Sequence, residues 1–138
     1  MKKLSFKTLI FLLITVFTLC LGNRVATAQS PFITRWNLAT GGSGANQLSF
    51  NVVTSGLVSY TWQQVAPGTA YGTGTFTGSN NNLITITGLP TGATIDLSID
   101  PTNFQQIIIL GGPDARRLTD VKQWGTTAWS SMESAFYG

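Results

Sequence analysis

The sequence predicts an all-β fold, a sandwich of two antiparallel sheets, and three observations carry this prediction. Residues 41–112 contain almost no charge and are dominated by Thr, Ser, Gly, Asn, Val and Ile. Their apolar residues alternate with polar ones, which is the period of a strand that buries one face. Turn signals rich in Gly, Pro and Asn interrupt the alternation about every ten residues, a spacing typical of the short strands of a sandwich.

Seven runs account for this pattern in chain order. The first is FITRWNL (32–38), in which Phe32, Thr34 and Trp36 share a phase. The last is FQQIIIL (104–110), whose continuous apolar end is typical of a strand covered on both faces. Between them lie LSFNV (48–52), VSYTW (58–62), YGTGTFT (71–77), LITIT (83–87) and TIDLSI (94–99). Seven such strands are typical of an immunoglobulin-like antiparallel β-sandwich, and a single sequence leaves their order open.

The first 28 residues have the pattern of a secretory signal peptide. Three lysines precede an apolar run, Leu9 to Leu21, and Ala26-Thr27-Ala28 then offers a cleavage site before Gln29. The run is shorter than the roughly 20 residues of a spanning helix, which disfavours a membrane anchor. Lipidation at Cys20 is a further alternative, although Leu19 before it is a poor fit. We therefore expect a secreted or cell-surface protein with no membrane span after cleavage.

The chain beyond the predicted cleavage site carries little charge. It has four basic and five acidic residues, a net charge of −1, so the basic pI belongs to the signal peptide. This balance predicts no nucleic-acid partner. The single cysteine of the chain, Cys20, lies within the signal peptide, so the sandwich at 29–112 is expected to fold without disulfides.

Residues 113–138 differ in composition and are predicted to be a linker and the start of a second element. Trp129, Met132 and Phe136 recur at i, i+3 and i+7, which predicts one face of a short C-terminal helix. Leu118, Val121 and Trp124 recur every third residue just before it. Arg116 and Arg117 are interpreted as a solvated linker pair, with an anion site as the alternative.

No catalytic constellation is found, so the protein is predicted not to be an enzyme. The chain has no histidine, which excludes Ser-His-Asp and Cys-His catalysis. Asp96 and Asp100 lie about 13 Å apart at strand rise, too far for a glycosidase pair. They are interpreted as solvent-facing or turn aspartates, with a calcium ligand as the alternative. No cofactor and no metal site are predicted.

One candidate ligand site is aromatic. Tyr60, Trp62 and Tyr71 are candidates for a platform that stacks on a sugar ring, with Trp36 as further support. The opposing interpretation is that Trp62 belongs to the core, because it alternates with Val58 and Tyr60.

Both ends of the chain resemble a known family. SPFITRW follows the cleavage site, and DVKQWGTTAWSSMESAFYG closes the chain. These segments are similar to the N-terminal region of BspA-like leucine-rich repeat surface proteins of Bacteroidota. There a β-module that begins PFITTW leads into a QWG…W.SM..AFYG segment, which opens an array of roughly 25-residue repeats. The middle of the chain lacks the WGDG turn of many relatives.

The resemblance implies a fold, an interface and a function. The fold is a polycystic-kidney-disease-like (PKD-like) sandwich. The interface consists of Trp124, Trp129, Met132 and Phe136, which would pack on repeats that follow Gly138. The function is adhesion or interaction with a protein or glycan at the cell surface, with the sandwich as a spacer before the repeats. The alternative is a self-contained carbohydrate-binding module.

Overall fold

The computed structural model describes residues 28–65 and 68–136. The predicted signal peptide, apart from its last residue, lies outside these ranges. Within them, no helix has the length and hydropathy needed to cross a membrane.

In the described residues, eight strands form two antiparallel sheets that pack face to face, which confirms the all-β sandwich. The five-stranded sheet has the order β4-β3-β6-β1-β8, and the three-stranded sheet has the order β5-β2-β7. The strands are β1 (Phe32–Asn37), β2 (Gln47–Thr54), β3 (Val58–Gln64), β4 (Tyr71–Phe76), β5 (Asn82–Thr87), β6 (Thr94–Ile99), β7 (Phe104–Ile108) and β8 (Leu118–Gln123). The seven expected strands are all present, whereas the immunoglobulin- or PKD-like subtype stays a prediction.

The core lies between the sheets because each strand turns its apolar phase inward. Trp36 of β1 is fully buried and stacks on Phe50 of β2, with ring centroids 5.7 Å apart. Its indole Nε1 donates to Thr34 Oγ1 at 2.8 Å, so the buried polar atom is satisfied. Trp36 is therefore a core residue, and it does not support a sugar-binding surface.

The eighth strand corrects the expectation for residues 113–138. Leu118–Gln123 pairs with β1, so the predicted division after residue 112 does not coincide with an edge of the sandwich. The pairing contains two register shifts, one between Ile33 and Thr34 and one between Arg35 and Trp36. Each shift inserts one extra residue into β8, which changes the period of its inward residues from two to three. Leu118 and Val121 consequently both pack against the core.

The predicted C-terminal helix is wrong. The only helical piece in the described ranges is a 3₁₀ turn at Ala115–Arg117, and residues 124–136 have no helix. The segment instead follows β7, the edge of the three-stranded sheet. Ser130 N donates to Gln105 O at 3.0 Å, and Ile109 N donates to Ser134 O at 3.2 Å. This segment therefore covers a strand edge that would otherwise expose backbone groups.

Arg117 is buried, although the sequence analysis interpreted it as part of a solvated linker pair. Arg116 is exposed, but Arg117 is only 2% exposed and pairs with the completely buried Asp114. Its guanidinium also donates to the carbonyl oxygens of Thr40 and Gln47, each at 2.8 Å. The pair thus ties the 3₁₀ turn to the loop that precedes β2.

Candidate interaction surfaces

The two segments that carry the family resemblance lie side by side. Gln123 Nε2 donates to Pro31 O at 2.8 Å, and Thr126 N donates to Ser30 O at 2.9 Å. Antiparallel pairing of β1 with β8 brings the start of one strand to the end of the other. The beginning of β1 and the QWG sequence thereby form one end of the sandwich.

Gly125 is required at this junction for two reasons. Its φ is 68°, in the left-handed region that favours glycine. A Cβ added there would also lie closer than 3.0 Å to the carbonyl oxygens of Ser30 and Pro31. Only a residue without a side chain lets residues 126–136 fold back onto the sandwich.

Five rings form a cluster at this end, which we call the C-terminal aromatic cluster: Phe32, Phe104, Trp124, Trp129 and Phe136. Trp129 meets Phe32 edge-on at 5.0 Å and Phe104 at 5.6 Å between ring centroids. The ring centroid of Trp124 lies 5.9 Å from that of Phe32, and Phe136 meets Trp124 edge-on at a centroid distance of 5.7 Å. Edge-to-face pairs at these distances are favourable beyond the area they bury.

The cluster is buried on one side only. Trp129 packs against the core and the neighbouring Ala135 is buried. Trp124 is 50% exposed, and Met132 and Phe136 are each 40% exposed. Of the four residues predicted to form the repeat-stacking interface, the structure therefore brings Trp124, Trp129 and Phe136 into contact. Met132 lies on the same segment and is exposed.

The three-ring sugar platform is not assembled. Tyr60 and Trp62 point to the inner side of β3, where Tyr60 stacks on Phe76 at 5.9 Å and Trp62 is buried. Burial raises the pKa of the Tyr60 phenol. Tyr71 faces outward, because it pairs with the exposed Gln63 rather than with an inward residue. The core interpretation of Trp62 is thus correct.

The rings of Tyr60 and Trp62 have a structural role on the inner side of β4. A Cβ at Gly72 would collide with the Trp62 indole, and one at Gly74 would collide with the Tyr60 ring. The two rings therefore lie directly over the glycine backbone of the neighbouring strand. They close the core where β4 forms the edge of the larger sheet.

The outer face of the five-stranded sheet carries Tyr71, a predicted candidate, together with polar neighbours that the sequence analysis did not group with it. Tyr71 is 82% exposed there, beside Gln63. Further along, Arg35 forms a two-pronged pair with Asp96 at 2.7 and 2.8 Å. The hydrogen bond to Asp96 raises the pKa of the Arg35 guanidinium. These residues belong to the polar phases of β1, β3, β4 and β6, of which, apart from Tyr71, the sequence analysis interpreted only Asp96, as a solvent-facing or turn aspartate.

The carboxylates do not converge on a metal site. Asp100 Oδ1 accepts from Thr102 N at 2.8 Å, and this bond lowers the pKa of Asp100. Asp96 is bound by Arg35, so the two aspartates serve a turn and an ion pair. In residues 28–65 and 68–136, no group of three or more His, Cys, Asp or Glu side chains is placed to hold a metal ion.

The fold and these surfaces define a small antiparallel β-sandwich with an apolar patch at one end and a polar, tyrosine-bearing sheet face. Comparison of the chain with known protein families, with curated proteins and with solved structures finds no match.

Proposed function

We propose that this chain is the N-terminal β-sandwich of a secreted or cell-surface, non-enzymatic adhesion or interaction protein. In this proposal, which includes membership of the BspA-like family, the sandwich is a spacer that leads into leucine-rich repeats. The observation that supports it best is the half-exposed C-terminal aromatic cluster. The signal-peptide pattern at residues 1–28 supports export.

The apolar patch has the properties of one half of an interface. Trp124, Met132 and Phe136 are large and half-exposed, whereas Trp129 and Ala135 anchor the same segment in the core. An anchored segment presents its exposed rings in a defined position, which lowers the entropic cost of docking. Repeats of the leucine-rich type cannot bury their apolar faces alone, so the first repeat needs such a neighbour.

The proposed partners follow from the same surfaces. The repeats would pack on Trp124 and Phe136, and the assembled protein would bind a protein or glycan at the cell surface. No cofactor is part of the proposal. No nucleic acid is part of it either, since the exported chain has a net charge of −1.

Hydroxyl-radical footprinting tests this proposal directly. The chain from Gln29 to Gly138 would be compared with a longer chain that continues through the codons that follow in the natural gene. We expect oxidation of Trp124, Met132 and Phe136 to fall in the longer chain because the first repeat covers them. Leu83 is 57% exposed on β5 and serves as the control whose labelling stays constant.

Two results would overturn the proposal. One is a natural stop codon directly after codon 138 with no repeats in frame. The other is equal labelling of Trp124 and Phe136 in the two chains, which would mean that nothing downstream packs on them.

A further inference from the structure

We propose that the outer face of the five-stranded sheet binds a neutral polysaccharide chain, with Tyr71 as its stacking residue. This site shares Tyr71 with the three-ring platform, but it does not use the rings of Tyr60 and Trp62 for stacking, because those rings pack inward. It goes beyond the spacer role, and it does not depend on repeats that follow the sandwich. It also lies toward the β4 edge, whereas Trp124 follows β8 at the opposite edge of the same sheet.

The strand register aligns the polar side chains of this face in two rows. In the first row, Tyr71 pairs with Gln63, which pairs with Asp96, which pairs with Arg35. In the second row, Thr73 pairs with Thr61, which pairs with Ser98. Directly paired residues lie about 5 Å apart on the same face of a sheet. The rows therefore place an aromatic ring, an amide and three hydroxyls within reach of one ligand.

The surface between these side chains is concave. One open depression of about 550 Å³ is lined by Thr61, Trp62, Gln63, Tyr71, Gly72 and Thr73. A second, of about 250 Å³, has Tyr60, Ser98 and Asp100 in its lining and again Thr61 and Thr73. Because the two shallow depressions share Thr61 and Thr73, they adjoin on β3 and β4, and we treat them together as a groove that reaches β6 at Ser98. A groove of this shape fits an extended chain better than a compact small molecule.

The chemistry of the groove matches a sugar chain. A pyranose ring has an apolar C–H face that stacks on an aromatic ring and a rim of hydroxyl groups that both donate and accept. The Tyr71 ring is 82% exposed and offers the first contact. The threonine and serine hydroxyls and the Gln63 amide also both donate and accept, so they match sugar hydroxyls in either direction.

The charge of the face selects a neutral ligand. Arg35 and Asp96 form an ion pair at 2.7 Å, and Lys122 and Asp120 of β8 form another at 3.5 Å. The Asp100 carboxylate in the second depression further disfavours an anionic ligand. A nucleic acid or an anionic polysaccharide would need several free basic residues, and the two rows contain none apart from the paired Arg35. An apolar peptide would leave the hydroxyls and the amide of the groove without partners.

The site is also largely preorganised. Six of its seven side chains project from positions inside paired strands, and the Arg35–Asp96 fork holds the end of the first row. Rigid strands lower the ordering cost on binding. Tyr71 begins β4 and is the least restrained of them.

Affinity electrophoresis of the exported chain, Gln29 to Gly138, tests the proposal. The gels would contain mixed-linkage β-glucan, galactomannan, arabinoxylan or starch, with heparin as an anionic probe. We expect retardation by at least one neutral polysaccharide. Tyr71→Ala should weaken that binding by about tenfold or more, which equals about 1.4 kcal/mol. Tyr71→Phe keeps the ring and should bind more tightly than Tyr71→Ala.

Matched controls distinguish the loss of the Tyr71 site from a general loss of exposed apolar surface and from unfolding. Leu83→Ala removes an exposed apolar side chain from β5 on the other sheet and should leave retardation unchanged. Near-ultraviolet circular dichroism should show that Tyr71→Ala keeps its tertiary structure, and Gln63→Ala provides a second variant within the groove.

The proposal would be refuted by retardation with heparin alone, by no retardation with any neutral polysaccharide, or by equal binding of Tyr71→Ala and the parent chain. None of these results would bear on the packing of repeats at Trp124, which footprinting measures separately.

Discussion

Replacement of Arg117 by methionine is expected to destabilise the sandwich by about 3–5 kcal/mol, because it leaves a buried carboxylate without its counter-ion. Arg117 Nη1 lies 3.0 Å from Asp114 Oδ1, and both side chains are almost completely withdrawn from solvent. A sandwich of this size has a total free energy of unfolding of about 5–15 kcal/mol. The change would therefore remove a large share of its stability.

The other hydrogen bonds of Asp114 and Arg117 narrow the expected loss of about 3–5 kcal/mol in the free energy of unfolding. Asp114 also accepts hydrogen bonds from Ser43 N at 2.9 Å and Ser49 N at 2.6 Å, and these persist in the variant. Loss of the arginine in turn leaves the carbonyl oxygens of Thr40 and Gln47 without their donor. These two carbonyl oxygens accept part-buried hydrogen bonds, so solvent can replace part of what is lost, and we expect about 4 kcal/mol for Arg117→Met, the middle of the range.

Urea unfolding followed by tryptophan fluorescence measures this effect. Arg116→Met is the matched control, because Arg116 is the exposed neighbour on the same turn, and its change should stay within about 0.5 kcal/mol. The double variant Asp114→Leu/Arg117→Met should lose less than the sum of the two single variants, since it leaves no unpaired charge. A loss below about 1 kcal/mol for Arg117→Met, the size typical of a solvated pair, would refute the reasoning.

Three further predictions concern the chain end and the aromatic residues. Gly125→Ala should cost more than Gly92→Ala in urea unfolding, because both glycines have positive φ but only a Cβ at residue 125 meets backbone atoms; equal losses would contradict the clash. Trp124→Ser should reduce the self-association of the chain from Gln29 to Gly138, measured by light scattering, more than Leu83→Ser does. A larger reduction with Leu83→Ser would show that the C-terminal aromatic cluster is not the surface through which the chain associates. The pKa of Tyr60 is raised above 10.0, so the stability it contributes is present below pH 10 and is lost as pH rises through the higher folded value. Tyr60→Phe should therefore show a smaller drop in urea midpoint between about pH 9 and about pH 11, and an unchanged drop would contradict this.

The strands were predictable because a strand with one buried face leaves a local mark. Burial alternates along β1 and β3 to β6, and along β2 apart from the buried Ser49, and the apolar phase predicted from the sequence is the phase that faces the core. β8 was missed because two register shifts in its pairing with β1 spaced its inward residues three apart. That spacing resembles part of a helix when no partner strand is known.

The helix prediction failed for a related reason. The spacing of Trp129, Met132 and Phe136 matches one helical face, but their segment meets the free edge of β7. Hydrogen bonds to Gln105 and Ile109 satisfy its backbone without a helix. The cluster of Trp124, Trp129 and Phe136 nevertheless forms, because burial of large rings beside Phe32 does not require helical geometry.

The candidate sugar site shows which features of a site residue identity alone can predict. Tyr71 is exposed, as a platform residue would need to be, but its assumed neighbours Tyr60 and Trp62 face inward. The register of β3 with β4 sets Tyr71 beside Gln63. No pattern within one strand contains that register.

The sequence by itself determined the all-β class, the positions of seven of the eight described strands and the absence of histidine from any site. These properties depend on composition and on the period of two, which are local. Only the tertiary structure decided that Arg117 is buried while Arg116 is exposed, and that the PF and QWG segments meet. It also decided that Tyr71 shares a face with Gln63 and Asp96. These outcomes depend on pairing between segments far apart in the chain, where register and sheet closure select which side chains meet.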